Sequence, residues 1–153
     1  MTYGEMTKIL SEKFHIPYTD FISITTAVSQ VFPMIVLANL TKNTYSMLRD
    51  EGFLCNVISA TGCYDDLIDE NMENIHPNYQ QLFYESFSRE HLVRSFQRGK
   101  KEVYAEIYQK DPQGQYHWVS VHVIRIESES GDMMHVCFNR VLEGNSEKRY
   151  EQK

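Results

Sequence analysis

The sequence predicts an α+β domain, an antiparallel sheet with helices on one face and an N-terminal helix on the other. Three observations point to it. From Val103 to Leu142 the chain reads as three strand-like runs parted by two turn signals, Asp111-Pro112-Gln113-Gly114 and Ser128-Glu129-Ser130-Gly131. The central run, Tyr116 to Glu127, is dense in Val, Ile, Tyr and Trp, residues that fit a pleated surface. Neither face of this meander is plainly polar, so both need covering.

The register follows from the second turn. A four-residue loop sets Glu127 opposite Asp132, Ile124 opposite His135 and His122 opposite Cys137. One face then collects Val119, Val121, Val123, Met134, Val136 and Phe138; the other collects Trp118, Ser120, His122, Ile124, Ile126, Met133, His135 and Cys137.

The 153 residues suit one domain, and 42% hydrophobic with 24% charged residues falls in the globular range. A net charge of −6 argues against nucleic-acid binding. Three cysteines, Cys55, Cys63 and Cys137, form no C-x-x-C pair and suggest reduced thiols in a cytoplasmic setting. The first residues lack the apolar run of a signal peptide, and no stretch is long enough to insert in a membrane.

In chain order, residues 1–19 are polar, with a short helix over Thr7 to Phe14 ending before Pro17. Asp20 caps an amphipathic helix over 20–33 carrying Phe21, Ile24, Val28 and Val31, although its β-branched residues make a strand the competing reading. Met34 to Leu40 is a continuous apolar run, a central strand, turned back by Thr41-Lys42-Asn43-Thr44 into Tyr45 to Leu48. Thr61 to Ile75 has helical spacing, with acids on its wet side. His76-Pro77 breaks that helix and opens another with Tyr79, Leu82, Phe83 and Phe87; Ser88 caps a third carrying Leu92, Val93 and Phe96, ended by Gly99. Residues 34–142 form the domain, and 143–153 begin a charged exit helix.

The order Gly99-Lys100, Tyr104 to Tyr108, then Asp111-Pro112-Gln113-Gly114-Gln115-Tyr116-His117-Trp118-Val119 resembles the closing half of a PAS sensor domain. It is most similar to those that precede bacterial diguanylate cyclases and histidine kinases. The turn Asn39-Leu40-Thr41-Lys42-Asn43-Thr44-Tyr45 looks like the family's opening hairpin, and the likeness spans roughly 34–149. It implies five antiparallel strands, and a non-catalytic sensory module that binds a small ligand or dimerises to control an attached output domain. A constitutive, ligand-free interaction module is the alternative.

The resemblance also assigns roles. Ile107, Val119, Val121, Val123, Val136 and Phe138 are the expected pocket wall; without a polar handle it suits a small apolar or aromatic molecule, or is simply filled. Phe21, Ile24, Val28, Val31, Trp118 and Ile124 are expected to join the N-terminal helix to the outer sheet face and to a second chain in a homodimer. No cofactor is expected. Thr61-Gly62-Cys63-Tyr64 differs from the segment that carries a flavin-reactive cysteine, and His122, His135 and Cys137, grouped by the register above, lack a supporting zinc motif. Arg140 stands where many PAS domains have an Asp that couples to the exit helix.

Overall fold

The computed structural model describes residues 18–50 and 59–142, with Gly4, Glu5, Lys8, Ile9 and Glu12. Cys55, the side chain of Phe21 and the expected exit helix over 143–153 lie outside the described residues. The first helix, α1 (Tyr18–Val31), forms despite its β-branched content; Asp20 lies in its first turn, where a carboxylate favours the positive helix end, rather than before it.

Strands β1 (Met34–Asn39) and β2 (Thr44–Asp50) make the expected hairpin. Its turn places Asn43 at φ 57°, the left-handed region that Asn tolerates better than most residues. There Asn43 performs a second task. Its carbonyl accepts from Tyr64 N (3.1 Å) and its Oδ1 from Asp65 N (3.0 Å), so it satisfies the first amides of the next helix, α2 (Tyr64–Met72).

Thr61 to Cys63 is not the start of that helix. It is a strand, β3 (Thr61–Cys63), paired with Thr44 to Ser46. Gly62 marks the close approach: a Cβ there would lie 3.1 Å from the Tyr45 ring. Among the described residues the sheet therefore has six strands rather than five, in the order β3-β2-β1-β6-β5-β4.

After α2, Pro77–Tyr79 form a single 3-10 turn, followed by α3 (Gln80–Phe87) and α4 (Arg89–Gln97). Gly99, at φ 93°, closes α4. On the way the chain crosses the outer edge of β4 (Glu102–Lys110), where Lys110 N donates to Asn74 O (2.9 Å) and His76 N to Tyr108 O (2.8 Å). These bonds cover the edge of the sheet. Strands β5 (Tyr116–Ile126) and β6 (Met134–Val141) complete the meander.

The β5–β6 register differs by one residue from the four-residue-loop expectation. Ile124 pairs with Val136, His122 with Phe138 and Ile126 with Met134, leaving a loop over 127–133. The cause lies outside the hairpin. Asp132 and Met133 are held by the β1–β2 turn: Leu40 N donates to Met133 O (2.8 Å), Met133 N to Thr41 Oγ1 (2.8 Å) and Asn39 Nδ2 to Asp132 Oδ2 (2.9 Å).

Because a one-residue slip exchanges faces, β6 turns over relative to the expectation. Val119, Val121 and Val123 face the helices as expected, together with Ile107, but they are joined there by His135, Cys137 and Asn139. Val136 and Phe138 lie on the outer face. The core closes with Leu67 and Ile68 of α2, Phe83 and Phe87 of α3, and Leu92 and Phe96 of α4.

The outer face holds the other corrections. Phe32, just after α1, packs on Phe138 (centroids 5.1 Å) and lies under the Arg140 guanidinium (5.8 Å). Ile24 and Val31 do not pack on their own sheet, being 57% and 52% exposed, and Val28 and Ile124 are partly exposed. Trp118 is 1% exposed and packs on Tyr79 and Tyr108, so it is used up within the chain and offers little to a second copy. Trp118→Ala is expected to cost about 3–5 kcal/mol of folding stability. Urea denaturation at two protein concentrations checks this, since a loss that depends on concentration would mean that Trp118 joins two chains.

Candidate functional site

The turned-over β6 sets up the site. At alternate positions along one strand, His135, Cys137 and Asn139 point toward α2 and α3 and are 1%, 9% and 8% exposed. Between them and the helices lies a cavity of about 50 Å³. Val121 and Val123 line it. Ile107 and Val119 belong to the same core but not to these walls, and Val136 and Phe138 face the other way. Tyr64, Leu67, Phe83 and Phe87 form further walls, with the amides of Asn71 and Gln109, and Met34, Val36 and Ile68 add apolar surface.

The expectation of a wall without polar handles is therefore overturned. Asn139 is held in place, its Oδ1 accepting from the Cys137 thiol (3.2 Å) and its Nδ2 lying 3.4 Å from Met34 Sδ. His135 is not. Both of its ring nitrogens are buried without a hydrogen-bond partner among the described residues. Its ring lies edge-on to Tyr64 at 5.6 Å and near Phe96 at 6.4 Å.

Burial keeps the site neutral. It pushes His135 down to about 3, opposed in part by the Val136 backbone, and pushes Cys137 up to about 12. It also holds Tyr64 well above the usual phenol range, with smaller contributions from Cys137 and Asp65. The Tyr64 hydroxyl donates to Phe87 O at 2.7 Å, tying the start of α2 to the end of α3. One ring thus touches both the imidazole and the junction of two helices.

Other groupings carry less chemistry. His122 lies on the outer face against Glu102 (2.9 Å), so the His122, His135 and Cys137 trio that the expected register grouped is split across the sheet. Ser88 occupies the position before α4, but its hydroxyl is 2.6 Å from His91 Nδ1 rather than on a helix amide. Glu90 approaches that same nitrogen at 3.8 Å, whereas a relay needs base and orienting acid on different nitrogens. A larger surface groove of about 590 Å³ beside these residues includes Asp65 and Arg89, which pair at 3.2 Å. Among the described helices none is long and apolar enough to cross a membrane.

Sequence reasoning missed His135, Asn139, Gln109 and Asn71. The alternation His135, Cys137, Asn139 against Met134, Val136, Phe138 was visible, but with apolar residues on both faces it did not say which row faced in.

A pH dependence follows. The folded-state pKa of His135 lies below its unfolded value, so between about 6.5 and 3 the unfolded chain binds a proton that the native chain excludes. Stability contributed by the neutral ring is therefore lost as pH falls. Relative to His135→Leu, the natural chain should lose about 3 kcal/mol between pH 7 and pH 4. Denaturant titrations of both proteins at the two pH values measure the difference.

No protein-family model matches the chain, and no curated protein matches it. Among solved structures it is similar to a sensory box histidine kinase/response regulator from Burkholderia thailandensis E264, with 12% identity, a TM-score of 0.48 and coverage of 84% of this chain and 89% of that one. It is also similar to the N-terminal domain of a diguanylate cyclase with PAS/PAC sensor from Marinobacter aquaeolei, with 14% identity, a TM-score of 0.46 and coverage of 71% and 93%. The fold itself is α+β, an antiparallel sheet backed by helices.

Proposed function

We propose that this PAS-like domain is a sensory module of a signal-transduction protein. It takes a small molecule into the cavity under α2 and α3, and passes its occupancy along β6 to an attached output domain. The observation that carries this reading is His135. A buried imidazole with both nitrogens unpartnered costs the fold about 1–3 kcal/mol, and such groups are retained where they do something else.

The route outward is physical. β6 carries the cavity's polar row on one face and Phe138 and Arg140, both against Phe32, on the other. A ligand that engages His135 presses on a strand whose opposite face seats the end of α1. Through the Tyr64 ring it also reaches the Tyr64 to Phe87 bond between helices. Arg140, which replaces the acid common in the family, contributes through the Phe32 ring instead of a carboxylate. A ligand shifts such an equilibrium only by its differential affinity for the two packings.

Dimerisation through α1 is a second reading, favoured by the exposure of Ile24 and Val31 one and a half to two turns apart on one helix. Ile24→Lys is expected to turn a dimer into a monomer in sedimentation velocity, and an unchanged coefficient removes this reading.

Native mass spectrometry of the purified protein tests the principal one. A small molecule should be retained by the natural chain and absent from His135→Leu. Measured against the natural chain stripped of ligand by refolding, the same substitution should raise stability by about 1–3 kcal/mol at pH 7, because it removes unsatisfied polar atoms from an apolar wall. A variant that melts lower would make His135 an ordinary structural residue and end the proposal.

A further inference from the structure

We propose that the molecule taken into this cavity is a small neutral one with a hydrogen-bond donor and acceptor close together, such as a primary amide or an azole, and that His135 reads it. This rests on the sensory reading above and specifies its ligand.

Charge decides the first part. No Asp, Glu, Lys or Arg stands among the described residues that line the cavity. The three titratable groups that do, Tyr64, His135 and Cys137, are all held in their neutral forms by burial around pH 7. A carboxylate or an ammonium entering here would be a buried ion without a counter-ion, which is strongly disfavoured. A neutral ligand meets no such barrier.

The imidazole decides the second part. A neutral ring has one N–H donor and one bare acceptor nitrogen; neither makes a hydrogen bond of good geometry to a described residue, the Val136 backbone being near enough only to favour the protonated ring. A ligand that only accepts, or only donates, leaves one nitrogen buried and unsatisfied. One that does both can engage His135 together with an amide of Asn139, Asn71 or Gln109, which themselves offer both functions.

Size sets the third limit. About 50 Å³ holds roughly three to five heavy atoms, at about one water-sized group per 10–15 Å³. The apolar walls from Leu67, Phe83 and Phe87 suit a flat, weakly hydrated body between the polar contacts.

The test uses four probes on the full chain: acetamide, pyrazole, isoxazole and acetate. Binding is read from the nitrogen-15 shifts of the His135 ring in titrations at pH 7, with His135→Phe as the control for the assignment. Acetamide and pyrazole should shift the ring nitrogens saturably. Isoxazole, of the same size as pyrazole but without the N–H donor, should bind roughly tenfold more weakly, the worth of one hydrogen bond. Acetate should not bind. Acetate or isoxazole binding as well as acetamide overturns the ligand class and leaves the sensory reading standing. So does failure of every probe while a molecule retained by the natural chain is lost from His135→Leu. Failure of every probe with no retained molecule overturns both.

Discussion

The capture of Asp132 and Met133 by the β1–β2 turn is the constraint on which the remainder depends. Leu40 and Thr41 bind the backbone of Met133, while Asn39 and Lys42 hold the Asp132 carboxylate, at 2.9 and 3.7 Å respectively. These contacts set where β6 can begin, and so whether its odd or even residues face the helices. With the strand pinned, His135, Cys137 and Asn139 go inward, and Phe138 is free to receive Phe32. A one-residue slip would bury Met134, Val136 and Phe138 instead, a more apolar core without a polar cavity. The domain has the costlier interior.

That interior combines a well-packed core with one side chain held less firmly. The Trp118, Phe87 and Phe96 rings, each 1–2% exposed, are fixed by packing on both sides of the sheet. Beside them the imidazole is constrained by aromatic faces but not by hydrogen bonds. Its energy therefore depends on what a neighbouring molecule offers. The helices above are also joined lightly: the Asp65 to Arg89 pair is partly exposed, and surface pairs of this kind contribute about 0–1 kcal/mol. Buried aromatic contacts hold the helical layer, and the Tyr64 hydroxyl links two of its members.

The turn residue Asn43 shows how sequence signals can be read only partly from one element. As a hairpin residue it accounts for the positive φ. Its other role, supplying acceptors to the first amides of α2 and donating to Asp65 at 2.9 Å, concerns a helix that starts about twenty residues later. Ser88 shows the reverse. It stands in the cap position expected from its type, yet its hydroxyl goes to His91 because that ring lies within 2.6 Å.

The sequence by itself determined the fold class, the meander and its approximate strand limits, the central β1, and three of the helical segments, because period and turn chemistry are local. It also placed Val119, Val121, Val123 and Ile107 on the helix-facing side. Tertiary structure alone decided that Thr61 to Cys63 is a sixth strand, that Trp118 packs within its own chain, and that His135 and Asn139 rather than Val136 and Phe138 face the cavity. The reason is common to all three. Each depends on a partner distant in sequence: Tyr45 against Gly62, Tyr79 over Trp118, and Leu40 with Thr41 holding Met133. When both faces of a strand are apolar, its own pattern leaves the choice of inner face to such partners.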